Sequence, residues 1–112
     1  FPQIIKEWEK GNDPHFPRGE NTSDLFSRLR SFLSDLKGEI NTFKYKSIGI
    51  VTHNGILKCM IGYSYDISRK DWYKLIIPHN IVLEFLFYDG KIKPNIPRKL
   101  LSKIFNNLGV SF

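Results

Sequence analysis

The chain has one cysteine, Cys59, in 112 residues, so no internal disulfide can form. A reducing, cytoplasmic setting is the expectation that follows, with a disulfide-free secreted protein left open. It has one methionine, Met60, and begins with Phe1, so it reads as a processed product or an excised piece. No apolar run approaches the roughly 20 residues needed to cross a bilayer. Phe1 is followed by charges and prolines rather than by the apolar core of a signal peptide. No membrane partner is therefore expected. There is no phosphate-cradling Walker loop, no GxGxxG and no internal repeat, and the three histidines and the cysteine lie at unrelated spacings. That predicts no metal site and no bound cofactor. Acidic residues are missing altogether from Gly90 to Phe112, where Lys91, Lys93, Arg98, Lys99 and Lys103 are all cationic.

With 41% hydrophobic and 25% charged residues, the composition suits a globular chain with a core, and its length suits one small domain. The net charge of +6 suits anionic partners such as phosphoesters, nucleic acid or acidic surfaces. Lysines scattered over a solvated face are the alternative.

Residues 1–10 carry Ile4, Ile5 and Trp8 at the spacing of one helix face. Gly11 to Gly19 reads as a loop. Asn21, with Asp24 three positions on, reads as an acidic variant of the capping box. Leu25, Phe26, Leu29, Phe32, Leu33 and Leu36 then recur at helical spacing, so a helix is predicted over 22–37 with Gly38 as its stop. Residues 47–52 are apolar without alternation and predict a buried, parallel-type strand. A buried helix is predicted over 55–63, and a short one carrying Trp72, Tyr73 and Ile76 after Ser68. Ile81 to Tyr88 predicts a strand, Asp89-Gly90 a hairpin turn and Lys91 to Lys93 the return strand. Pro97 fits the first position of a last helix that Gly109 ends. The order is that of an α/β domain. Only one strand looks central, and such a strand needs neighbours on both sides, so the sheet is expected to be incomplete.

Two constellations carry candidate chemistry. In Ser47-Ile48-Gly49-Ile50-Val51-Thr52-His53-Asn54-Gly55, a histidine falls between a strand end and a helix start. Strand ends of α/β sheets are where ligands bind, and helix N-termini favour anions. His53 can donate to a phosphoryl oxygen, and the backbone of Asn54 and Gly55 can approach it closely. The alternative is a hydrogen-bonded structural histidine. In Phe16-Pro17-Arg18-Gly19-Glu20-Asn21, Arg18 can bind an anionic group and Glu20 can orient Arg28; the alternative is a plain loop with a surface arginine. His79 and His15 read as turn and loop residues. Asn21-Thr22-Ser23 matches the glycosylation sequon, by accident in a cytoplasmic chain.

Together these segments resemble the histidine phosphatase superfamily, the phosphoglycerate mutase-like proteins. Trp8 to Arg28, with Gly19-Glu20, Asp24 and Arg28, resembles the family's "PxGES…D/E…R" stretch, Asn21 standing where serine is usual. Ile48 to Gly55 resembles "VxxVSHGG", and Ile77 to Phe85 resembles the following strand, so the likeness runs from about Ile4 to Tyr88. It implies a three-layer α/β sandwich. It also implies phosphoryl transfer or phosphomonoester hydrolysis through a phosphohistidine, on a phosphorylated small molecule. In that family the nucleophile is the histidine of an "RHG" motif, and a second histidine, matched by His53, stabilises the transferring group. Asn54, Gly55, Arg18 and Glu20 would line the phosphate and substrate pocket. The 112 residues contain no Arg-His-Gly. Residues 1–112 therefore read as one partial domain, the C-terminal half of such a protein, inactive alone. Self-association through an exposed sheet edge at 47–52 is expected. The alternative is a non-catalytic basic domain that binds nucleic acid or another protein.

Overall fold

A computed structural model describes residues 2–15, 19–44 and 46–109. The fold is α/β, with helices α1 (Pro2–Glu9), α2 (Thr22–Phe43), α3 (Asn54–Ser64) and α4 (Arg98–Ile104). Strands β1 (Phe85–Tyr88) and β2 (Lys91–Pro94) form an antiparallel hairpin, and short 3-10 turns span Arg69–Lys74 and Asn106–Leu108.

The start of α2 is built as the sequence predicts. Asp24 N–H donates to Asn21 Oδ1 at 2.8 Å, and Asn21 N–H donates back to Asp24 Oδ2 at 3.2 Å, a reciprocal capping box. The expected stop at Gly38 is not one. The helix runs on to Phe43 and ends at Lys44, whose φ is 58° and whose N–H donates to Ile40 O. A mid-helix glycine costs only about 1 kcal/mol against alanine, too little to break a helix that is otherwise continuous. Asp89 and Gly90 both have positive φ, 52° and 80°, the pair of values a tight two-residue hairpin turn requires. Of the predicted strand Ile81 to Tyr88, only Phe85–Tyr88 is in the ladder. Its partner β2 ends at Pro94, and one further rung follows, the Asn95 N–H donating to Glu84 O at 2.9 Å. Pro97 caps α4 rather than opening its first turn.

Helix α3 is packed from two sides along Cys59–Gly62, which is why that stretch is apolar. Cys59 and Met60 pack with Leu29, Leu33 and Trp72 on one side, and Ile61 packs with Leu75, Ile77, Leu101, Ile104 and Phe105 on the other. Gly62 permits the closest approach. A Cβ there would lie 2.3 Å from Trp72 Nε1. The indole is fixed by donating to Ile67 O at 2.9 Å and by the Phe26 ring set edge-on at 5.8 Å.

The prediction of a buried strand over 47–52 is overturned. The segment has no regular structure, its backbone enters no hydrogen bond among the described residues, and Ile48, Ile50 and Val51 are 41%, 47% and 102% exposed. An apolar, non-alternating strand is buried only when strands flank it and layers cover both faces, and among the described residues no strand flanks it. The surface total agrees. The chain exposes 8005 Å², against about 6,400 Å² for a compact monomer of its 13.1 kDa. Its radius of gyration is 14.9 Å, against about 13 Å expected.

Candidate functional site

The two long helices begin in opposite electrostatic states. Helix α2 is fully capped. Besides the capping box, Asp13 accepts from Thr22 N–H at 2.8 Å and from Ser23 N–H at 2.9 Å. Partial burial raises the Asp13 pKa, but the hydrogen bonds from Ser23 and Thr22 outweigh that and hold it below its ordinary value. Arg69 donates to Ser23 Oγ at 2.8 Å and lies over the rings of Phe26 and Trp72, tying the 3-10 turn to this helix start. No amide is left at this end of α2 for an outside anion.

Helix α3 has none of this. Its cap residue, His53, makes no side-chain capping bond, and its first turn holds no acidic residue. The amides of Asn54, Gly55 and Ile56 carry the positive end of the helix dipole with no anionic partner among the described residues. The His53 side chain is exposed and, among the described residues, enters no hydrogen bond or ion pair. Its ring lies over the first turn of its own helix. A Cβ on Gly55 would be 3.3 Å from both Nδ1 and Cε1 of His53 and 3.4 Å from Leu25 Cδ1. Glycine at 55 thus leaves room for the imidazole beside the first turn while α3 packs on α2. His53, Asn54 and Gly55 are brought together as one exposed corner.

The other candidates divide. Arg28 Nη1 donates to Glu20 Oε1, an ion pair on the surface at the start of α2. Among the described residues no hydrogen bond or ion pair joins that pair to His53. Arg18 lies outside the described residues. His79 is exposed in a turn beside Asn80, which has φ 54°. His15 Nε2 lies 3.1 Å from Asp24 Oδ2, as a loop residue against the capping box. The Asn21 side chain is committed to the cap, accepting from Asp24 N–H and donating to Asp13 O. Cys59 is no alternative nucleophile, since burial pushes its thiol up to about 11. Among the described residues no group of three or more His, Cys, Asp or Glu is placed to hold a metal, and no helix is long and apolar enough to cross a membrane.

Sequence reasoning missed Asp13, Arg69 and Gly62. Asp13 carried a faint signal in the Gly11-Asn12-Asp13-Pro14 turn. Arg69 and Gly62 carried none, because their partners lie 46 and 10 residues away.

The model of the histidine phosphatase superfamily (branch 1) matches residues 1–95, and the chain belongs to that superfamily. Membership points to phosphoryl transfer or hydrolysis in general. Comparison with the curated proteins and with the solved structures gave no match.

Proposed function

We propose that this chain supplies the second pocket histidine, His53, to a phosphohistidine-type phosphatase or phosphomutase acting on a phosphorylated small molecule in the cytoplasm. One observation carries the reading. Of the two long helix starts, only that of α3 leaves its amides uncapped among the described residues, and it does so beside an exposed imidazole. A phosphoryl group seated there receives hydrogen bonds from the backbone of Asn54 and Gly55, and His53 donates to a second oxygen. This stabilises charge that builds on the phosphoryl oxygens in the transition state. Arg18 and Glu20 are assigned to substrate contact and to orienting Arg28. Residues 1–112 are then one partial domain of a phosphoglycerate mutase-like three-layer sandwich. Its nucleophilic histidine and the strands flanking 47–52 come from outside this sequence. The excess exposed surface and the unpartnered Ser47–Thr52 segment support that part of the reading.

The test uses inorganic phosphate and orthovanadate as probes, read by amide chemical shifts. The expected result is that Asn54, Gly55 and Ile56 move, Thr22, Ser23 and Asp24 do not, and His53→Ala abolishes the movement. Equal movement at both helix starts would reduce the effect to general anion attraction and overturn the assignment. The chain alone should not turn over an aryl phosphate. Turnover that His53→Ala abolishes would overturn the missing-nucleophile reading.

A second reading, a basic binding domain, is favoured by the outer face of the hairpin. There Lys91 stands opposite Tyr88 and Lys93 opposite Leu86, all four exposed. Nucleic-acid binding at that face should weaken steeply with salt.

A further inference from the structure

We propose that Lys58 is a further anion-holding group of the α3 corner: its ammonium charge, one helical turn beyond the amides of Asn54 and Gly55, strengthens their hold on the substrate's phosphoryl group. The inference rests on the reading of His53, Asn54 and Gly55 as a phosphate seat. Lys58 is the one charged residue of α3. It stands four residues after Asn54, on the same helix face and about 6 Å further along the axis. Its charge is thus within roughly 10 Å of the first-turn amides, a range at which a partly buried charge still acts.

The surroundings leave that charge uncompensated. Lys58 is half-buried, and its ammonium donates to Tyr73 O at 3.3 Å. That uses one of three N–H groups, and the other two have no partner among the described residues. Burial pushes its pKa below the ordinary 10.5, and no carboxylate opposes the shift. The elements packed on α3 bring no counter-charge. Helix α2 and β2 meet it through Leu25, Leu29, Leu33 and Ile92. On the 3-10 turn, Asp71 is paired with Lys74 at 3.1 Å, while Arg69 and Lys70 are exposed cations. A cation near a helix N-terminus is also opposed by the positive end of the dipole. Two like-signed groups with no acid beside them destabilise each other, and a bound anion relieves both. A unit charge at this distance changes anion affinity by about three- to tenfold.

The test is calorimetric binding of inorganic phosphate to the full-length protein that carries these residues. The amide shifts of Asn54 and Gly55 locate the site, and thermal melting checks the fold. Lys58→Gln keeps a donor for Tyr73 O without the charge, and should weaken binding about three- to tenfold, more so at low salt. Lys58→Arg keeps the charge and should bind within about twofold of the wild type. Proton uptake gives a readout that a purely structural lysine would not move. The Lys58 charge is complete below its lowered pKa and lost as pH rises through it. Phosphate binding in that alkaline range should therefore take up a proton in the wild type and none in either variant, seen by comparing buffers of different ionisation enthalpy. Should Lys58→Gln fail to fold, the comparison of wild type with Lys58→Arg decides alone. Undiminished binding by Lys58→Gln, equal weakening in both variants, or wild-type binding without proton uptake overturns the proposal and leaves the His53 reading standing. Phosphate that leaves Asn54 and Gly55 unmoved overturns both.

Discussion

Helix α3 positions the His53 corner, and its seat depends on having no side chain at residue 62. Replacing Gly62 by alanine puts a Cβ 2.3 Å from Trp72 Nε1, 2.5 Å from Cδ1 and 2.7 Å from Cε2. Ordinary carbon contacts lie at about 3.5–4.0 Å, so helix and indole must part by about an ångström or more. The indole has nowhere easy to go. It is 6% exposed, meets the edge of Phe26, and donates to Ile67 O at 2.9 Å. Retreat stretches that bond, and a buried N–H left unpaired costs about 1–3 kcal/mol. Forced repacking costs a similar 1–3 kcal/mol. Alanine recovers about 1 kcal/mol through helix propensity. The net expectation is a loss of about 1–5 kcal/mol, a fall in Tm of roughly 4–20 °C for a chain of this size. Thermal unfolding followed by circular dichroism measures it. A double-mutant cycle with Trp72→Leu isolates the cause, because the alanine should cost far less once the indole is gone. Gly62→Ala as stable as the wild type, or costs that simply add in the double variant, would refute the reasoning.

The other mid-helix glycine gives the opposite expectation. Nothing lies within 4 Å of a Cβ built on Gly38, so Gly38→Ala should stabilise α2 by about 0.5–1 kcal/mol in the same melt. Asp13→Ala removes the acceptor for two α2 amides and should cost about 1 kcal/mol at neutral pH. The pH dependence has a definite sign. The Asp13 carboxyl is held below its ordinary 3.8, so its contribution is complete above that value and is lost as pH falls through the lowered one. The gap between wild type and variant in chemical denaturation should therefore close in strong acid, and a gap that persists there would show that the cap does not depend on the carboxylate.

Local chemistry was readable wherever both partners sit within a few residues. The Asn21–Asp24 capping box, the Asp89-Gly90 turn and the apolar α3 were all legible, because each depends on neighbouring side chains and on φ preferences. The corner of the candidate site was legible for the same reason, since His53, Asn54 and Gly55 are consecutive. What failed was burial. Ser47–Thr52 has the composition of a central strand, and that composition states what environment the segment suits, not whether the rest of the chain supplies it.

The sequence by itself thus determined the helix starts, the hairpin turn and a histidine set before a helix, because short-range hydrogen bonding and steric limits decide them. Only the tertiary structure decided that Asp13 closes the start of α2 while that of α3 stays open. It alone showed that Gly62 must yield to Trp72, and that Ile48, Ile50 and Val51 face solvent. Those outcomes depend on which distant groups arrive beside one another, and the pairing of strands in particular requires a partner that no local pattern can provide.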